Sequence, residues 1–297
     1  RLCRDWSSDV CSSDLRGLPH RGGKILRNLF RELTHRGLKA LRIIHQEGWL
    51  GLWYAFQERF HLADLEIYEL WQRRHRLTSR DRNRIKNAIK QLPHRPLISI
   101  LLPVYNTEEI WLKKCLDSVL GQLYPYWELC VGDDASTAKH IRRIVKKYAA
   151  RDRRIRVVFR EVNGHISAAS NSALALATGE YVALLDHDDE LTPDALYEIA
   201  SLVSCHSDVD MIYSDEDKID TQGKRHCPFF KPDWSPDTFL SLMYTCHLGV
   251  YRTALVRRIG GFREGFEGSQ DYDLVLRLTE HTERIRHIPK VIYHWRS

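Results

Sequence analysis

Residues 181–190 read YVALLDHDDE: five apolar residues in succession, then a run of carboxylates broken by one histidine. A short apolar run without polar alternation indicates a strand covered on both faces, hence a parallel sheet with helices on either side. Three further runs of this kind lie upstream, LISILLPV at 97–104, WELCV at 127–131 and IRVVF at 155–159, about 26 to 30 residues apart. The intervening segments, around 108–121, 137–150 and 166–177, have helical character. The spacing predicts βαβ units. In such sheets ligands sit at the carboxyl ends of the strands, so chemistry is to be sought immediately after each run.

Those positions hold Tyr105-Asn106-Thr107, Gly132-Asp133-Asp134-Ala135-Ser136-Thr137 and Asp186-His187-Asp188-Asp189-Glu190. Like charges gathered at one rim repel, and a cation or a hydrogen-bonding ligand is the usual reason for them. Asp186 and Asp188 are candidate hard-oxygen ligands for Mg²⁺ or Mn²⁺, which would share a substrate's phosphate oxygens. Helix capping competes: Asp188, Asp189 and Glu190 could favour a helix starting near Pro193, Asp134 or Ser136 one starting near Ala138, and Asp271 one running through Leu278. The DxDx[TV] strand end of haloacid-dehalogenase phosphatases fits poorly, because Glu190 stands where Thr or Val is needed. Neither GxGxxG nor GxxxxGK[ST] follows the first strand, which argues against a dinucleotide or P-loop enzyme.

Outside the sheet region the chain changes character. Of its 297 residues, 43% are apolar and 28% charged, as in globular proteins. Residues 16–46 carry eight Lys or Arg against Glu32 alone, more than the net +6 of the whole chain, so the remainder is close to neutral. Ile25, Leu26, Leu29, Phe30 and Leu33 form an apolar stripe there, a basic amphipathic pattern that suits an anionic membrane surface or packing on another domain. Nucleic acid is disfavoured, since no basic face continues into the neutral remainder. A second helical stretch is expected over 62–76 and a third over 81–92, capped by Thr78 or Ser79, with a boundary at Pro93 and Pro96. Residues 1–15 can be spelled from a common sequencing adapter, and we read them as non-native. Seven cysteines without a CxxC pair argue for a reducing compartment, and no apolar run is long enough to span a bilayer.

Four segments, ISILLPVYN at 98–106, VGDDAST at 131–137, NGHISAASNSALALATGEYVALLDHDDELTPDAL at 163–196 and GFREGFEGSQDYDLVLRL at 261–278, together resemble the family 2 inverting glycosyltransferases of the GT-A fold. The resemblance covers roughly residues 97–296. YSDEDK at 213–218 and FFKPDWSPD at 229–237 are similar to bacterial enzymes of O-antigen and other cell-surface polysaccharide assembly. It implies a mostly parallel α/β sheet over 97–297, preceded by a helical region over 16–96. It also implies a nucleoside-diphosphate-sugar donor, a glycan or lipid-linked glycan acceptor, a divalent cation and a cytoplasmic location, peripheral to the membrane if the basic segment 16–46 binds it. Carried over by position, Pro103 and Tyr105 would wall the nucleotide pocket, Asp134 with Asp133 would bond the base, and Asp186 and Asp188 would serve the metal and diphosphate. Asp271, in Gln270-Asp271 where the family has Glu-Asp, would be the catalytic base, and His294 would stand near the diphosphate as a further metal-ligand candidate. A metal-dependent phosphohydrolase or nucleotidyltransferase on a similar sheet, and a silent nucleotide-sugar-binding module, are the alternatives. Gly260, Gly261, Gly265 and Gly268 suggest a flexible loop that closes on the donor.

Overall fold

The computed structural model describes residues 67–297. The adapter-like residues 1–15 and the basic stretch 16–46 lie outside the described residues. The chain divides between His75 and Arg76, and residues 67–74, before that division, are helical.

The second unit opens with α1 (Ser79–Gln91). Its start is a reciprocal cap: the Asp81 N–H donates to Thr78 Oγ1 at 3.2 Å, and the Thr78 N–H donates to Asp81 Oδ2 at 3.1 Å. Ile85 and Ile89, one turn apart, are buried in the main core. This helix therefore folds with the sheet. The division expected at residue 96 falls inside the unit, because α1's apolar face already belongs to the core.

The four expected strands form as β1 (Ile98–Val104), β2 (Trp127–Asp133), β3 (Ile155–Phe159) and β4 (Tyr181–Leu184). Helices α2 (Glu109–Leu120), α3 (Lys139–Arg151) and α4 (His165–Leu176) connect them. All three contacts among these strands, β3 with β2, β2 with β1 and β1 with β4, are parallel. Every residue of β2 is buried, as an apolar run in a doubly covered strand requires. Gly132 marks where α4 presses on β2: a Cβ there would stand 2.4 Å from the Ala169 carbonyl oxygen. Each fully buried Leu or Ile contributes about 1.5–3 kcal/mol, so Leu101, Leu102, Leu129 and Ile100 make this half the stable frame.

Beyond β4 the sheet becomes mixed. There follow β5 (Glu190–Leu191), α5 (Ala195–Cys205), β6 (Met211–Ile219), β7 (Arg225–Phe229), α6 (Pro236–Ser241), β8 (Val250–Arg252), α7 (Thr253–Arg258), α8 (Gln270–Thr279) and the long β9 (Ile285–Arg296). The strand order is β3-β2-β1-β4-β8-β6-β9-β5, with β7 on β6. Strand β8 runs antiparallel to both β4 and β6, whereas β6 and β9 are parallel. Successive strands step outward from β1 on one side and then return to its other side with β4. The ends of β1 and β4 thus flank the switch point at which open α/β sheets bind ligands.

Candidate active site

A pocket opens at that switch point. It is lined by Leu101 and Pro103 of β1, Leu184 to Asp186 at the end of β4, Ile166 and Ser170 of α4, Cys246 and His247, Phe262, and Asp271. Asp186 and Asp271 come from distant parts of the sequence and share this space. Phe262 is held by Asn171 of α4, whose amide donates to the Phe262 carbonyl at 2.7 Å and accepts its N–H at 2.9 Å. Gly261 beside it has φ +69°, a left-handed backbone that favours glycine. All four glycines of the loop expected to be flexible, 260, 261, 265 and 268, have positive φ.

The two pocket carboxylates are biased in opposite directions. For Asp186, burial favours the neutral acid, but His247 outweighs it and holds the carboxyl below the ordinary range; His247 Nε2 lies 3.6 Å from Asp186 Oδ2. For Asp271, burial first and the charge of Asp186 second push the pKa up to about 6. The Gln270 amide donates to Asp271 Oδ2 at 3.0 Å, so the residue that stands where the family has Glu supplies a donor instead of a second charge. Burial opposes charge on His247 itself, yet Asp186, Cys246 and Glu216 carry its pKa well above the ordinary imidazole range.

The turn after Asp186 is fixed from behind by β9. Asp189 is fully buried and accepts the Tyr293 hydroxyl at 2.5 Å and the Arg296 N–H at 2.7 Å. Burial and the charge of Asp186 raise its pKa to about 7. Arg296 Nε donates to the Asp188 carbonyl at 2.7 Å, its guanidinium pairs with Glu190, and the whole group covers the Trp111 ring at 4.0 Å. None of these carboxylates caps the following helix, whose cap is Asp194. The Asp188 side chain is 40% exposed, with Oδ1 3.5 Å from His187 Nδ1.

At the end of β2 the two aspartates diverge. Asp134 accepts the Gly164 N–H on both oxygens, at 3.0 and 3.2 Å, and pairs with Arg160 at 2.8 Å. Asp133 is buried and its Oδ1 has no hydrogen-bond partner. Neither residue caps α3. The N-cap position is Ala138 and no side chain caps the helix; just before it, Asn106 Oδ1 accepts the N–H groups of Thr137 and Ala138 at 3.0 Å each and fixes the approach to α3. Asn106 has φ +48°, a conformation asparagine tolerates better than most residues. Tyr105 beside it is 46% exposed, and of the residues expected to hold the nucleotide, Pro103 and Asp186 line the pocket itself.

His294 lies on β9 opposite Glu190 and Asp217, with Nδ1 2.5 Å from Asp217 Oδ1. Among the described residues, the groups able to hold a metal ion are Asp186, Asp189 and His247, and Glu216, Cys246 and His247; within each, the ligand atoms all lie within 4.8 Å of one another. His294 and Asp188 belong to neither. Sequence reasoning missed His247, Glu216 and Lys231. The Lys231 side chain is fully buried and its Nζ donates to Glu216 Oε2 at 2.9 Å and to the Thr245 carbonyl at 3.1 Å. A lysine directly after two phenylalanines in FFKPDW, and an acidic run inside a strand that opens apolar in MIYSDEDKI, were the available signal.

This mixed sheet, with its pocket at the switch point, is the GT-A fold. Residues 99–260 match the family described as Glycosyl transferase family 2. The chain belongs to that family. It is 50% identical over 216 residues to the uncharacterized protein y4gI of Sinorhizobium fredii, an alignment covering 72% of this chain and 24% of that protein. It is 44% identical over 212 residues to the O-antigen biosynthesis protein RfbC of Myxococcus xanthus, covering 71% of this chain and 17% of the relative. The chain thus spans about a quarter or less of the length of these relatives. Among solved structures, S. aureus TarS 1–349 in complex with UDP-GlcNAc superimposes with a TM-score of 0.57 at 26% identity, over 67% of this chain and 58% of that one. The mannosyltransferase PcManGT from Pyrobaculum calidifontis, with GDP-Man and Mn²⁺, shares the fold at a TM-score of 0.52 and 20% identity, over 79% of this chain and 65% of that one. Among the described residues no helix is long and apolar enough to cross a membrane, and no disulfide joins the five described cysteines.

Proposed function

We propose that residues 76–297 form the catalytic unit of a metal-dependent inverting glycosyltransferase. It moves a sugar from a nucleoside-diphosphate donor to a hydroxyl of a growing cell-surface glycan. The observation that carries this reading is the single pocket shared by Asp186 and Asp271, whose protonation is biased in opposite senses. Displacement with inversion needs negative charge balanced on the leaving side and a proton acceptor on the attacking side. A carboxylate kept ionised, and so able to hold a cation, serves the first task, and one with a pKa near 6 suits the second.

The donor set fits a divalent cation: Asp186, Asp189 and His247 present oxygen and nitrogen atoms toward one another, and Asp188 follows in the same turn. Asp186 and Asp188 would hold Mg²⁺ or Mn²⁺ there, and the ion when bound would offset charge on the departing diphosphate. Asp271 accepts the acceptor hydroxyl's proton within about 2.6–3.2 Å, and Gln270 orients its carboxylate. Pro103 and Tyr105 flank the nucleotide, and the orphaned Asp133 oxygen, rather than the already paired Asp134, is the acceptor suited to a base N–H. The O-antigen relative supports a cell-surface glycan as acceptor, and a nucleotide-sugar donor suits a cytoplasmic location. The test is a panel of UDP-, GDP- and dTDP-sugars, scored for metal-dependent thermal stabilisation and for transfer or slow hydrolysis. Stabilisation by at least one donor that requires the metal is expected. No response to any of them would sink the reading.

A further inference from the structure

The segment YSDEDK at 213–218 ends in a lysine for which the site described above has no task. The acidic residues before it are all engaged: Asp215 with His287 at 2.8 Å, Glu216 with Lys231 at 2.9 Å, and Asp217 with Arg225 and His294 at 2.5 Å each. Along β6 and β9, Glu216 lies opposite Tyr293, Asp217 opposite His294 and Lys218 opposite Trp295, and successive side chains alternate between the two faces. Lys218 thus shares a face with Glu216, yet it has no carboxylate partner among the described residues. Its ammonium stands over the Trp295 ring instead, 4.5 Å from the centroid. Tyr293 is fully buried and stacks on His247 with centroids 4.5 Å apart, whereas Trp295, two residues further along the same face, is 42% exposed. The indole lies against the same imidazole at 5.9 Å, and His247 lines the pocket. Trp295 and then Lys218 therefore continue the pocket wall outward.

We propose that Lys218 and Trp295 form an acceptor subsite that selects a saccharide carrying a carboxylate or phosphate group. This rests on the transferase reading above and deepens it. In the strand order, β6 and β9 lie on the far side of β4 from β1 and β2. A nucleotide held at the exits of β1 and β2, with its diphosphate at Asp186, leaves the β6–β9 side to the attacking group. The C–H groups of a pyranose face are apolar and slightly positive, which suits the negative face of an indole. An ammonium over the same ring is held by cation–π attraction alone, weak at an exposed site, and a carboxylate or phosphate oxygen offers it a stronger, charge-assisted bond. An anionic saccharide can draw the ammonium off the ring and take its place on the indole. The neighbouring charges sharpen the choice, since Lys231 neutralises Glu216 and Arg225 pairs with Asp217, so neither acid competes for Lys218. A neutral saccharide gains the stacking and leaves the cation uncompensated.

The test is saturation-transfer NMR titration of the full chain with methyl glucuronide, methyl galacturonide and glucose 6-phosphate, and with methyl glucoside as the neutral probe. At least one anionic probe should bind with a Kd of about 10 mM or tighter, and about fivefold more tightly than the glucoside. Comparing uronides with the sugar phosphate tells which anionic group is preferred. The preference should disappear in Lys218→Met, survive in Lys218→Arg, and shrink as salt rises from about 0.05 to 0.5 M. Trp295→Ala should weaken charged and neutral probes alike, about fivefold. Thermal stabilisation by UDP, GDP or dTDP with Mn²⁺ should be unchanged in Lys218→Met. Absence of anionic-probe binding, equal affinity for charged and neutral probes, a preference that survives Lys218→Met, or unaltered affinity in Trp295→Ala overturns the subsite and leaves the transferase reading intact. Loss of nucleotide stabilisation in Lys218→Met overturns it too, by assigning the cation to the donor diphosphate. If Lys218→Met does not fold, a preference in the parent that salt leaves untouched overturns the proposal. Failure of every nucleotide to stabilise the parent counts instead against the donor pocket, and is read independently of the saccharide titration.

Discussion

The exits of β2 and β4 are alike in sequence, each an apolar strand running into consecutive aspartates, and the fold uses them in opposite ways. At β2, Asp134 is closed off by Arg160 and the Gly164 N–H, and it holds the loop before α4 in place. At β4, Asp189 does the holding, through Tyr293 and Arg296, and Asp186 is left 44% exposed on the pocket side. A run of carboxylates is therefore a scaffold and a reactive edge at once. Which residue takes which part is decided by segments that arrive from far along the chain: Arg160 and Gly164 for one exit, β9 and His247 for the other.

The contrast can be broken most sharply at the group that faces Asp186. Asp271→Asn should reduce transfer about 10²- to 10⁴-fold while nucleotide affinity stays within a few-fold of the parent, measured by steady-state kinetics and calorimetry. Substantial residual turnover would remove Asp271 from the role of base. The two exits should then separate by readout. Asp134→Ala leaves Arg160 partly buried and unpaired and should cost about 2–3 kcal/mol in chemical denaturation, because the carboxylate is almost wholly buried. Asp186→Asn should leave the denaturation midpoint nearly unchanged and weaken Mn²⁺-dependent nucleotide binding about 10- to 100-fold. Equal effects of both substitutions on stability would erase the distinction.

A finer probe uses pH. The Asp271 pKa is raised from 3.8 to about 6, so the ionised base is scarce below that value, and kcat/KM should climb about tenfold per pH unit up to roughly 6 before levelling. The stability consequence has a definite sign. Because the folded state holds this proton more tightly than the unfolded chain, raising the pH from about 4 to 6 withdraws stability, and the deficit persists above 6. Asp271→Asn should accordingly raise Tm by a few degrees at pH 7.5 and leave it unchanged near pH 3.5, a pairing that a simple packing defect would not produce.

Much of the parallel half was legible because its signals are local. Leu97 to Val104 or Tyr181 to Leu185 needs no distant partner to be read as a buried strand, and the position of Asp186 follows from where its strand stops. The start of α1 was likewise readable, since Thr78 and Asp81 cap each other within one turn. The start of α3 was not: neither Asp134 nor Ser136 caps it, its N-cap position is Ala138 with no side-chain cap, and the backbone just before it bonds to Asn106, some thirty residues upstream. His294 was placed by its neighbourhood in sequence, and the pairing of β9 with β6 turned its Nδ1 toward Asp217.

The amino-acid order by itself determined the βαβ succession, the carboxylates at the strand ends and the family to which they belong, because hydrophobic runs and tight turns are short-range features. Only the tertiary structure decided which carboxylate stays ionised, which is driven toward its acid form and which merely braces a turn. Those outcomes depend on burial and on the charge a few ångströms away. The neighbours that set them, His247, Tyr293 and Arg296, are brought beside these carboxylates through the antiparallel insertion of β8 and the parallel pairing of β6 with β9, contacts that no local pattern encodes.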